Sequence, residues 1–143
     1  MLAWLGLQKP IPRIGFEEML KVVSQPHKYV LINTLSPHLQ HCLIPTTILA
    51  SEEEGVVNDL LHKYQAESKT IVLYGMNSAD TSVDKKYYQL VGLGYGEIVV
   101  YYGGMFEWLL LQDVYGIQQF STTSKVLDIL YWGIRVSGND RSV

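Results

Sequence analysis

Apolar positions along this chain follow two rhythms that alternate. Phe16, Met19, Leu20 and Val23 recur at the i, i+3, i+4, i+7 spacing of one helical face. Gly15 stands as the N-cap of that helix, Glu17 and Glu18 suit its positive end, and Pro26 stops it. Tyr29-Val30-Leu31-Ile32 then runs apolar without a break, as a strand covered on both faces of a parallel sheet does. Ser36-Pro37 marks a loop. Ser51 followed by Glu54 reads as a capping box, which opens a helix with Val56, Val57, Leu60, Leu61 and Tyr64 on one face. Thr70-Ile71-Val72-Leu73-Tyr74 is a second buried strand. A polar loop from Gly75 to Asp80 leads into a third helix near Thr81, with Val83, Tyr87, Leu90 and Val91 on its face and Gly94 at its end. Ile98-Val99-Val100-Tyr101-Tyr102 is the next strand, Gly103-Gly104 a turn, and Phe106 to Leu111 opens another helix.

Alternation from residue 16 to about 112 implies βα crossovers and a mostly parallel sheet with helices on both faces. Sites in open sheets of this kind lie beyond the C-terminal ends of the strands. The loop after Tyr74 is therefore where chemistry is expected.

Composition narrows the function classes. The chain has 143 residues, enough for one domain with a core that needs no disulfide or metal. With 48% hydrophobic and 17% charged residues it falls in the globular class. The net charge is −3, and the nearest things to basic clusters are Lys85-Lys86 and the pair Arg135 and Arg141. Nucleic acid is not an expected partner, because phosphate contacts need a basic stripe. The single cysteine, Cys42, excludes a disulfide within the chain and fits a reducing, cytoplasmic setting. The apolar start Met1-Leu2-Ala3-Trp4-Leu5-Gly6-Leu7 is too short for a signal peptide or a membrane span, so no membrane association is expected. No cofactor is implied.

Several elements in fixed order carry a resemblance. An apolar strand, Ile71-Val72-Leu73-Tyr74, is followed by a six-residue loop, then by Leu90-x-x-x-Gly94-Tyr95, Ile98 and Gly103-Gly104-x-x-x-Trp108. Upstream lie Ile14-x-x-Glu17-Glu18, the run Leu31-Ile32-Asn33-Thr34-Leu35-Ser36-Pro37, and Ile44-Pro45-Thr46-Thr47-Ile48. This pattern resembles the rhodanese-like family over residues 14 to 112. The resemblance implies a three-layer α/β domain with a mainly parallel, five-stranded sheet. It divides the chain into an extension (1–13), the domain (14–118) and a tail (119–143) that packs on the domain or docks a partner. The Ile-Pro-Thr-Thr-Ile turn resembles divergent members from large DNA viruses.

Departures from the family pattern bear on function. The family places its nucleophilic cysteine directly after the strand, and that position here is Gly75. A persulfide needs a thiol, which glycine lacks. The loop Gly75-Met76-Asn77-Ser78-Ala79-Asp80 carries only a negative charge, where a basic residue would favour an anionic substrate. Cysteine-dependent phosphatases of this fold need the same thiol. The family's aspartate and arginine near the first long strand are replaced by Asn33 and Leu35. The resemblance therefore implies a pseudoenzyme, with an unidentified protein partner or a second copy as its ligand.

Sharper readings stand beside this one. Cys42 next to His41 could carry sulfur-transfer chemistry, although adjacent side chains in an extended loop point apart; the simpler reading is a small loop hydrophobe. His38, His41 and Cys42 fall short of four zinc ligands, with His27 and His62 isolated. Ser78, Thr81 and Ser82 lack an evident base and read as cap residues, with Asp84 completing the pattern. An enzyme or small-ligand binder using the Gly75–Asp80 crevice remains open. So does self-association through the apolar tail cluster Val126, Leu127, Ile129, Leu130, Tyr131 and Trp132. Tyr87-Tyr88 and Tyr101-Tyr102 would need a basic groove to stack on bases, so they read as core and helix-layer tyrosines. Gly103-Gly104 lacks phosphate-loop spacing and reads as a turn that lets Trp108 pack.

Overall fold

A computed structural model describes residues 10–63 and 68–135. Tyr64, the segment 1–9 and the terminal run Gly138 to Val143 lie outside the described residues. The elements are β1 (Arg13–Ile14), α1 (Phe16–Ser24), β2 (Tyr29–Asn33), α2 (Glu53–His62), β3 (Thr70–Tyr74), α3 (Ser82–Gly92), β4 (Ile98–Tyr101) and α4 (Gly104–Tyr115). Short 3-10 turns occupy Pro37–Leu39, Ala50–Glu52 and Ile129–Trp132.

The strands form one parallel sheet in the order β1-β4-β3-β2. Successive side chains point to opposite faces, so each continuous apolar strand feeds two cores. Leu31, Val72, Tyr74 and Tyr101 meet Met19 and Val22 of α1 and Met105, Trp108 and Leu109 of α4. Val30, Ile32, Ile71, Leu73, Ile98 and Val100 meet Val57 and Leu60 of α2 and Val83 and Leu90 of α3. Three layers result, and each fully buried aliphatic side chain contributes about 1.5–3 kcal/mol.

The sheet has four strands, not the five expected. The place outside β2 is held by a single parallel bridge, Leu31 to Thr47, with the Ile48 N–H donating to the Leu31 carbonyl at 2.8 Å. Two neighbours keep the bridge from growing. Pro45 has no N–H to give to a ladder, and Thr46 takes a left-handed backbone with φ of 71°.

The expected capping box at Ser51 is also corrected. The chain enters α2 through the Ala50–Glu52 turn, so Glu52 takes the cap position and makes no side-chain capping bond. At α1, by contrast, the Gly15 N–H donates to Glu18 Oε1 at 2.9 Å, closing that helix start.

Beyond α4 the chain turns back over the α1/α4 core. Phe120 is buried and packs edge-on against Trp108, with ring centroids 5.0 Å apart. The Trp108 indole N–H donates to the Ser121 carbonyl at 2.8 Å. Trp132, on the turn that packs against α4, is buried as well.

Candidate functional site

The loop 75–80 leaves the C-terminal end of β3 at the centre of the sheet, flanked by β2 and β4. Its base is fixed by α4. The Met105 N–H donates to the Gly75 carbonyl and the Phe106 N–H to the Met76 carbonyl, both at 2.9 Å. Donors of the first turn of a helix have no partner within it, and here the loop supplies two. Gly104 makes that approach possible. It has φ of 68°, and a Cβ there would stand 2.7 Å from the Gly75 oxygen. Gly103-Gly104 is thus a close-approach device for the loop, a role its reading as a packing turn for Trp108 did not capture.

Asp80 dominates the loop's interior. Its Oδ2 accepts the Met76 N–H at 2.8 Å, and its Oδ1 accepts the Ser82 N–H at 2.9 Å and the Ser82 hydroxyl at 2.6 Å. The Ser82 hydroxyl also lies 2.7 Å from Thr34 Oγ1. The carboxylate thus takes up one N–H of the loop and the first N–H of α3, the kind of donor that binds anions. It further fills the space at residue 75, where a Cβ would stand 2.5 Å from Asp80 Oδ2 and 3.0 Å from Thr34 Oγ1. Asp80 replaces the expected Thr81, Ser82 and Asp84 pattern as the cap of α3. Thr81 makes no capping bond, and Asp84 instead accepts the Tyr102 hydroxyl at 2.5 Å. Aspartate two residues before a bonded N–H is an Asx-type spacing, a signal present in Asp80-Thr81-Ser82 and not used in reading the sequence.

Asn77 ties the loop to the tail. Its side-chain amide donates to the Trp132 carbonyl at 2.9 Å, and its Oδ1 accepts the Ala79 N–H at 2.9 Å. Ser78 and Ala79 remain exposed at the tip, and Gly75 is buried beneath them. Beside the loop a crevice of about 340 Å³ is lined by Asn33, Thr34, Gln40, Ser82, Lys85 and Lys86, among others. Asn33 is buried on its wall. Its Oδ1 accepts the Leu35 N–H at 2.9 Å and the Gln40 amide at 2.7 Å.

The other singled-out residues lie elsewhere. Gly94 has φ of 102° at the end of α3, and Tyr95 is buried with its hydroxyl on the Lys69 carbonyl. Cys42 is fully buried; its Sγ lies 3.5 Å from the Ser124 carbonyl, and burial pushes its thiol pKa up. A protonated, enclosed thiol is a poor nucleophile. His41 Nδ1 contacts the His38 carbonyl, and His38 Nε2 lies 3.3 Å from the Tyr131 hydroxyl. Among the described residues no group of three or more His, Cys, Asp or Glu could hold a metal. None of their helices is long and apolar enough to cross a membrane.

The layer order and a loop at the centre of a parallel sheet have counterparts among solved structures. A yeast protein tyrosine phosphatase of the rhodanese family matches with a TM-score of 0.56, 14% identity, and 80% of this chain and 93% of that one covered. The chain has a rhodanese-like fold. An As-Sb reductase from Leishmania major matches this rhodanese-like chain at a TM-score of 0.53, with 20% identity and 74% and 79% coverage. A full-length protein from Lactobacillus plantarum gives 0.53, 19%, 77% and 87%. At these identities the likeness is one of fold. No protein-family model and no curated protein matches the chain.

Proposed function

We infer that this rhodanese-like chain is non-catalytic at its loop: it lacks the nucleophile, transfers neither sulfur nor phosphate, and works by binding another protein chain. One observation carries the reading. The Asp80 carboxylate sits against residue 75 and holds the loop donors that an anionic substrate would need. A thiosulfate or phosphate dianion would have to displace a covalently tethered anion and then sit beside it, which like-charge repulsion opposes. Cys42 offers no substitute, being enclosed and protonated.

Thiosulfate:cyanide sulfurtransferase and aryl-phosphate phosphatase assays test this. The wild-type protein should match the no-protein control in both. The variant Gly75→Cys should also be inactive, because its side chain would collide with Asp80. Turnover by the wild type that survives Cys42→Ser would mean that another group in the loop crevice does chemistry. Turnover lost on that substitution would make Cys42 the sulfur carrier. Either result defeats the non-catalytic reading.

A second reading draws on the polar crevice beside the loop. Its size and its lining by Asn33, Gln40, Ser82 and Lys85 suit a small polar ligand. Chemical-shift changes confined to those residues during a metabolite screen would favour it.

A further inference from the structure

We propose that the outer face of α4, with the tail turn beside it, is a self-association surface on which a second copy of this chain docks antiparallel about a two-fold axis near Leu110. The helix carries apolar residues on both its inner and its outer side. Met105, Trp108 and Leu109 face the sheet and are buried. Phe106, Leu110 and Val114 follow at four-residue spacing on the opposite side, where Leu110 is 41% and Val114 71% exposed. Apolar residues on opposite sides are the pattern of a helix covered on both. The tail widens the stripe. The turn Ile129–Trp132 packs against α4, and a Cβ on Gly133 would meet the Phe106 ring at 3.4 Å. Leu130 and Ile134 around it are 75% and 57% exposed. This apolar surface is thus continuous past the start of the helix, as an interface would be.

Charge placement selects a second copy over a foreign chain. Asp113 lies in the last turn of α4 and seven residues from Phe106, on the same side. Arg135 lies at the other end of the stripe, two residues past Gly133, with its guanidinium over the Tyr131 ring. A two-fold axis near Leu110 sets Phe106 of each copy against Val114 of the other. It also brings each Arg135 toward the other copy's Asp113 and the negative end of its helix. The surface is complementary to itself in that one orientation. This proposal goes beyond the loop's inactivity and stands on different residues, so enzymatic turnover would leave it untouched.

Sedimentation velocity and light scattering on the full chain across a dilution series test it. The wild type should dimerise reversibly. Leu110→Glu and Val114→Glu alter exposed positions and should raise the dimer dissociation constant about tenfold or more, with circular dichroism unchanged. Asp113→Arg should weaken the dimer, and adding Arg135→Asp should restore it, a rescue that a contact between Asp113 of one copy and Arg135 of the other produces. A wild type that stays monomeric overturns the proposal, including the case in which residues 1–9 of the same chain cover the stripe. A dimer indifferent to Leu110→Glu and Val114→Glu, or a charge reversal without rescue, also overturns it.

Discussion

Thr46 holds φ of 71° on an exposed turn, a backbone region that crowds any Cβ and crowds a β-branched one most. Replacing it with glycine removes that strain, about 1–2 kcal/mol, against a gain in unfolded-chain entropy of about 0.5–1 kcal/mol. Thr46→Gly should therefore stabilise the fold by up to about 1.5 kcal/mol, read as a higher urea midpoint with unchanged slope. Asp80 presents the opposite case. Asp80→Asn turns an amide N–H₂ toward either the Met76 or the Ser82 N–H, donor against donor, and should cost about 1–3 kcal/mol. Hydrogen exchange at Met76 and Ser82 should accelerate in that variant, and exchange rates as slow as in the wild type would discount the carboxylate's role. At this scale the sequence was half legible. Its charge and its suitability for the α3 dipole could be read from position, but the direction its carboxylate points could not, because Gly75 and Thr34 define the space it fills from other elements.

Elements were legible where their apolar rhythm was long. β2, β3 and β4 each carry four or five consecutive apolar or aromatic residues, and these match the observed strands to within a residue. The fifth strand was expected from the resemblance alone, and the segment beside β2, Ile44 to Ile48, read as a turn; its proline and left-handed threonine hold it to one bridge. The tail was harder still. Its contact with the loop joins residues 55 positions apart through a single amide, a pairing that no local pattern encodes. Asn77→Ala removes both that bond and the one to the Ala79 N–H, and with the first of them the side-chain partner of the Trp132 carbonyl. It should cost about 1–3 kcal/mol and speed limited proteolysis of the tail ahead of the domain. Loss of the domain and the tail together would instead mean that the two unfold as one unit.

The whole molecule carries an alkaline limit set by its tyrosines. Burial raises the pKa of Tyr74 and Tyr101 above the ordinary value of 10, and the Glu107 carboxylate, accepting the Tyr101 hydroxyl at 2.6 Å, raises the latter further. Burial and then Asp84 push Tyr102 up to about 12. Each of these groups keeps its proton in the folded state after the unfolded chain has released it. Stability from the three is complete below pH 10 and falls as pH rises through and beyond that value, by up to about 1.4 kcal/mol per pH unit for each of Tyr74 and Tyr101 and by less for Tyr102, which solvent screens. Cys42 adds to the loss from its ordinary value of 9 upward. The melting temperature should therefore drop steeply above about pH 10. Tyr101→Phe removes one of the three titrating groups, so its melting temperature should fall less steeply with pH in that range. Equal slopes for the two proteins would mean that Tyr101 ionises in the folded state, and that its bond to Glu107 is open to solvent.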